Sequence, residues 1–270
     1  MSTRTNGRGK DAGRLSDTQL VELMQLIRGA DSVELKLSVP AEAHRETIRG
    51  LPIDPVEAQP RQVYFFDTPE LALSKAGLVV RARRIQGGRG DTVIKVRPVV
   101  PDTLSPELRR DPSFNVEVDA LPGGFVCSAS FKGRSSGDKI DQAVNGKKRV
   151  SRVFTKAQRA FFKERAPDGI DLDELTPLGP TFLLKGRFAA HTSLDKSAPD
   201  RNLVAEMWFY PDGSRIFELS TKCLPKDALG VAAECRAYFT ERGVPMSAVQ
   251  ETKTKAALEY YSTQLAASPS

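Results

Sequence analysis

Ser32-Val33-Glu34-Leu35-Lys36-Leu37-Ser38-Val39 places an apolar side chain at every odd position and a polar one at every even position. A period of two is the signature of a β-strand with one apolar and one polar face. The alternation returns at 92–99, where Ile94 and Val96 oppose Lys95 and Arg97. It returns again at 114–120, where Val116 and Val118 oppose Glu117 and Asp119. Strands are also expected over 62–67, 77–85, 181–188, 203–210 and 215–223, the last two joined by the turn sequence Pro211-Asp212-Gly213-Ser214.

Helical signals surround these strands. Ser16 and Gln19 have the spacing of a capping box and precede Leu20, Leu23, Met24 and Ile27 at helical intervals, with Gly29 as a stop. Thr155 and Gln158 repeat that spacing ahead of a helix over 155–165. Other helices are expected over 40–49, 138–145, 225–242 and around 247–265. Residues 121–180 are expected to be a helical insertion between strands, since so short a stretch holds little core of its own. Residues 1–14 are basic and polar and are expected to form a disordered tail, 15–265 a single domain, and 266–270 a flexible end. Eight strands with helices outside them predict an α+β fold built on an antiparallel sheet or barrel.

Composition narrows the function. The 270 residues carry 40 Lys+Arg against 34 Asp+Glu, a net charge of +6, and are 40% hydrophobic, enough to bury a core. No apolar run reaches the roughly 18 residues that span a bilayer, and the basic N-terminus lacks the apolar segment of a secretory signal. Cys127, Cys223 and Cys235 form no C-x-x-C pair, and only His44 and His191 are present, so a structural zinc site or a histidine triad is not expected. A cytoplasmic protein that favours anionic small molecules is expected, with no membrane and no nucleic acid as partner; the oligomeric state is open.

Sorted by face, the polar sides of the strands carry Glu34 and Lys36; Arg81 and Arg83; Lys95 and Arg97; Glu117 and Asp119; Lys185 and Arg187; Glu206; and Glu218 and Lys222. A solvated sheet face would account for any one of these strands. Three strands, however, repeat a cation-x-cation pattern, and like charges side by side are unfavourable without an anion or interleaved carboxylates. If the sheet closes with its apolar face outward, these charges line an interior channel. Arginine and lysine there suit phosphate oxygens, and carboxylates suit Mg²⁺ or Mn²⁺.

Three stretches in order, Ser32-Val33-Glu34-Leu35-Lys36, Val63-Tyr64-Phe65-Phe66-Asp67-Thr68-Pro69 and Gly77-Leu78-Val79-Val80-Arg81-Ala82-Arg83, resemble motifs of the CYTH superfamily, the triphosphate tunnel metalloenzymes. Glu251-Thr252-Lys253-Thr254-Lys255 is similar to a lysine-bearing segment near the end of some of these domains, so the resemblance covers about 31–262. It implies an eight-stranded antiparallel closed barrel, and chemistry on triphosphate compounds that depends on Mg²⁺ or Mn²⁺. It further implies Glu34, Glu206 and Glu218 as metal ligands, Lys36 and Glu117 as catalytic residues, and Arg81, Arg83, Lys95, Arg97, Lys185, Arg187 and Lys222 as phosphate contacts. Ser32 and Ser220 stand where that family carries two further carboxylates. The implied function is a triphosphatase acting on tripolyphosphate or on a nucleoside or thiamine triphosphate. The alternatives are a class IV-type adenylyl cyclase and a non-catalytic binder of polyphosphate or nucleotide.

Overall fold

A strand that is charged on one face can bury that face only where the charges find partners across a closed interior. The computed structural model of the protein describes residues 16–193, 195–246 and 253–267. Its strands are β1 (Ser32–Val39), β2 (Gln59–Asp67), β3 (Leu78–Ile85), β4 (Gly90–Val96), β5 (Phe114–Leu121), β6 (Gly124–Ser135), β7 (Thr176–Ala190), β8 (Arg201–Phe209) and β9 (Arg215–Cys223). They close a barrel in the order β1-β5-β6-β4-β3-β2-β7-β8-β9, with β9 returning to β1. Helices α1 (Asp17–Gly29), α2 (His44–Gly50), α3 (Ala72–Lys75), α4 (Pro106–Arg110), α5 (Gly137–Val144), α6 (Lys156–Arg165), α7 (Ala228–Glu241) and α8 (Lys253–Ala267) complete the described elements. No helix among the described residues is long and apolar enough to cross a membrane.

The barrel has nine strands where eight are expected, and the addition is β6. Its outward face carries Phe125, Cys127, Ala129 and Phe131 and its inner face Ser128, Ser130 and Lys132, an alternation that lies inside the stretch expected to be an insertion. The expected helical insertion of 121–180 therefore begins with a strand, and its helical part runs from α5 through α6. The sheet is also not wholly antiparallel: β1 and β5 run parallel, with Ser32 opposite Glu117 and Glu34 opposite Asp119. That pairing is non-local, and no hairpin turn in the sequence announces it. The helix expected around 247–265 is seen as α8; residues 247–252, and the tail of residues 1–14, lie outside the described residues.

The apolar faces point outward. Val33, Val80, Ala82, Ile94, Val116 and Val118 pack under α1, α5 and α6, with Leu23, Ile27, Ile140, Phe161 and Phe162 supplied by the helices. Leu37, Leu203, Phe217 and Leu219 pack under α7 against Val231, Tyr238 and Phe239. A third apolar cluster is of another kind. Val63, Phe65, Leu183, Trp208 and Ile216 share the inward parity of the charged residues, and Ala257 and Leu258 of α8 close over them. A helix thus covers this apolar part of the barrel interior, with Arg81 and Arg83 standing opposite Phe65 and Val63.

Local chemistry fixes the elements. Both expected capping boxes form, Ser16 with Gln19 on α1 and Thr155 with Gln158 on α6. Gln158 is fully buried and also joins α6 to the barrel, its Nε2 donating to the carbonyls of Thr92 and Phe131 at 3.1 and 3.2 Å. Gly133 makes that approach possible, because a Cβ there would lie 2.5 Å from the Gln158 amide oxygen. Asp67 serves a turn and not the tunnel: its carboxylate accepts the backbone N–H of Thr68, Leu73 and Ser74 at 2.8–2.9 Å, setting α3 ahead of β3. Gly77 then takes φ +74, where a Cβ would run into the Arg97 carbonyl, and the Arg97 N–H donates to the Gly77 carbonyl at 2.9 Å.

Phe161 of α6 makes ring contacts with both Phe114 and Phe131 on the barrel wall, centroids 5.8 and 5.2 Å apart. Phe161→Ala should therefore destabilise the whole barrel by about 3–5 kcal/mol. Urea unfolding followed by near-UV and far-UV circular dichroism should show one displaced transition; loss of the insertion alone, with the barrel midpoint unchanged, would contradict the shared core.

Candidate functional site

Eleven of the twelve residues expected at the site line one cavity of about 370 Å³ inside the barrel. They come from seven strands: Glu34 and Lys36 from β1, Arg81 and Arg83 from β3, Lys95 from β4 with Arg97 just past its end, Glu117 from β5, Lys185 from β7, Glu206 from β8, and Glu218 and Lys222 from β9. The exception is Arg187. It lies two residues beyond Lys185 on the same face of β7, and it is exposed and outside the cavity lining. Asp91, Asp119, Lys132 and Lys253 also line the cavity and are not among the residues expected from sequence. Asp119 was visible as the inward neighbour of Glu117 by the period of two. Lys132 sits on β6, which lies inside the stretch expected to be an insertion. Lys253 comes from α8, which alternation along a strand cannot reach; the segment Glu251-Thr252-Lys253-Thr254-Lys255 had marked it only through its resemblance.

Most of these charges pair across strands. Lys36 Nζ lies 2.8 Å from Asp119 and 3.1 Å from Glu34, and Lys95 Nζ lies 3.2 Å from the other Asp119 oxygen. Lys222 bonds Glu117, Arg83 meets Asp91 at 2.8 Å, and Lys185 meets Glu206 at 2.9 Å. Lys253 bridges Glu206 and Glu218 at 2.8 and 2.6 Å. Ser32, in place of a carboxylate, donates its hydroxyl to Glu117 at 3.3 Å. Burial works against the Asp119 charge, but Lys95 and Lys36 outweigh it and hold the carboxyl well below the usual range. Burial likewise opposes the Lys36 charge, while Glu34, Asp119 and Glu218 keep that ammonium above an ordinary lysine.

The pairing is incomplete on the cationic side. Nine Lys and Arg side chains line the cavity against six Asp and Glu. Among the described residues, no carboxylate makes a salt bridge with Arg81, Arg97 or Lys132. The Arg81 Nε is buried and has no hydrogen-bond partner. Burial, with the neighbouring Arg83 charge, pushes its guanidinium down to about 10, still protonated at neutral pH. A buried guanidinium nitrogen without a hydrogen-bond partner is a donor free for an anion, and the fixed fork of arginine matches phosphate oxygens.

The carboxylates that could share a cation differ from the expected trio of Glu34, Glu206 and Glu218. Glu34, Glu117 and Asp119 place one carboxylate oxygen each within 4.8 Å of one another, on the parallel pair β1 and β5. Glu206 and Glu218 share one lysine, Lys253, that comes from α8 and not from a strand. Three carboxylates form a hard oxygen donor set of the kind that suits Mg²⁺ or Mn²⁺.

No protein-family model matches the chain, and no curated protein matches it in sequence. Solved structures do match in fold. A Hippeastrum protein named as a candidate adenylyl cyclase, and described as having a dominant triphosphatase activity, superposes with TM-score 0.60 at 15% identity. The match covers 84% of this chain and 95% of that one. A candidate adenylate cyclase from Bacillus halodurans gives 0.54 at 13% identity, covering 84% and 98%. The chain shares the barrel fold of these two proteins, as the resemblance of its strand motifs implies.

Asp119→Asn removes the shared partner of Lys36 and Lys95 and should cost about 3–5 kcal/mol at pH 7, because the buried Lys95 ammonium loses its salt-bridge partner and Lys36 keeps only Glu34. A carboxyl whose folded pKa is depressed stabilises the fold above its unfolded pKa, about 3.9, and loses that contribution as pH falls toward the folded value. The gap in stability between the natural protein and Asp119→Asn should therefore narrow steadily below about pH 4. Denaturation midpoints at a series of pH values check this, and a gap that widens in acid would reverse the assignment.

Proposed function

We propose that the protein is a divalent-metal-dependent phosphohydrolase of the CYTH type, acting on the terminal phosphate of a linear triphosphate drawn into the tunnel. The observation that carries this reading is the buried Arg81 guanidinium without a partner, in a cavity where cations outnumber carboxylates. The shared fold with a protein of dominant triphosphatase activity supports it.

Arg81, Arg97 and Lys132 grip phosphate oxygens as they stand, since no ion pair has to be broken first. Lys95, Lys185 and Lys222 are paired but sit on flexible stems, and they turn to the phosphates as an anion enters. Arg83, held by Asp91, shapes the phosphate path. Glu34, Glu117 and Asp119 would hold a Mg²⁺ or Mn²⁺ ion, which when bound neutralises phosphate charge and acidifies water. Lys36, fixed between Glu34 and Asp119, orients the reacting phosphoryl group. Water oxygen forms a bond to the terminal phosphorus, the bond to the bridging oxygen breaks, and phosphate and diphosphate leave. Positioning and charge neutralisation do most of this work.

Tripolyphosphate should raise the melting temperature far more than sodium chloride of equal ionic strength, because it binds only the folded state and relieves cation repulsion. Arg81→Ala should abolish most of that shift and lower kcat/KM for phosphate release roughly 100- to 1,000-fold, the scale of losing one preorganised donor to developing charge. The check is a panel of tripolyphosphate, ATP and thiamine triphosphate with Mg²⁺ or Mn²⁺, scored for phosphate, diphosphate and cyclic AMP. Cyclic AMP with diphosphate as the dominant products would assign the cyclase reaction instead. Tight binding without turnover of any compound would leave a phosphate-binding protein.

A further inference from the structure

Glu206 and Glu218 stand opposite each other on β8 and β9, both nearly buried at 8% and 4% exposure. Two carboxylates so placed repel unless a cation lies between them. Here that cation is part of the chain. Lys253 Nζ sits 2.8 Å from Glu206 Oε2 and 2.6 Å from Glu218 Oε1. Glu206 is satisfied on both oxygens, since Lys185 bonds Oε1 at 2.9 Å and the Trp208 Nε1–H donates to Oε2 at 3.2 Å. The Trp208 ring lies 5.2 Å from the Lys253 ammonium and adds a cation–π contact.

We propose that Lys253 is a resident cation occupying the position a second divalent ion would take, so that the tunnel accepts one such ion, at Glu34, Glu117 and Asp119. This deepens the phosphohydrolase reading and rests on it for the identity of that first site. The two carboxylate sets differ in what holds their lysines. Lys36, Lys95 and Lys222 extend from barrel strands, so an incoming ion displaces a side chain only. Lys253 begins α8, whose Ala257 and Leu258 are packed among Val63, Phe65 and Leu183, so expelling its ammonium means drawing the start of a docked helix out of the barrel. A divalent ion at Glu206 and Glu218 has to displace both that helix end and a well-paired charge. The ammonium supplies a single charge and hydrogen-bond donors, and it cannot acidify a water molecule as a divalent ion does.

The experiment counts Mn²⁺ bound per folded chain, by equilibrium dialysis with electron paramagnetic resonance of free Mn²⁺, on the full chain and on variants. Glu218→Gln should leave the count unchanged. Lys253→Met should gain one ion relative to the natural protein, and Lys253→Met with Glu218→Gln should lose that gain. A count that falls by one in Glu218→Gln overturns the proposal, as does a folded Lys253→Met, verified by circular dichroism, that gains no ion. If Lys253→Met does not fold, the Glu218→Gln comparison decides alone. A natural protein that binds no Mn²⁺ counts against the first metal site, while an ion gained in Lys253→Met still supports the role of Lys253.

Discussion

Fifteen ionisable side chains share the interior of one barrel, and the rest of the molecule is arranged so that they can. Burying charge is costly unless each group meets an opposite charge or a hydrogen bond, and a closed sheet supplies partners from every side. Because the inner face is spent on charge, the hydrophobic core lies outside the barrel. The valine, leucine and phenylalanine faces of the strands turn outward, and α1, α5, α6 and α7 cover them. The helices are the second layer that an inside-out barrel requires.

The charge network is unevenly matched. Val63, Phe65, Leu183, Trp208 and Ile216 form an apolar part of the interior under α8. Lys253 joins Glu206 and Glu218 beside it. Among the described residues, Arg81, Arg97 and Lys132 have no carboxylate in a salt bridge, although Arg81 stands opposite Phe65. Those cations are the surplus that an anion can meet.

The parallel pairing of β1 with β5 matters for the same reason. It puts Glu34 beside Asp119 and Ser32 beside Glu117, and so gathers three carboxylates on one wall. Against the cost of burial, Lys222 and Lys95 hold the Glu117 carboxyl, and Lys95 and Lys36 the Asp119 carboxyl, below the usual carboxylate range. Ser32 keeps a structural use by donating to Glu117.

The amino-acid sequence by itself determined the strands whose two faces differ sharply, both capping boxes and the identity of eleven cavity residues, because a period of two sorts side chains by face whatever the strand pairs with. It also determined that these faces were too rich in like charge to be simple solvent surface. Tertiary structure alone decided which charges meet. Strand order and the parallel β1–β5 register are non-local, so the shift of the acidic cluster from Glu206 and Glu218 to Glu117 and Asp119 was not legible along the chain. The β6 strand has the same alternation, Phe125, Cys127, Ala129 and Phe131 against Ser128, Ser130 and Lys132, but its small hydroxyl side chains make a fainter charged face than those of its neighbours, and it fell inside the expected insertion. Arg187 shared the parity of Lys185 but lay too near the strand end to reach the cavity. Lys253 enters from a helix that crosses the barrel end, and only the closure of the barrel brings its ammonium between two strands more than thirty residues earlier in the chain.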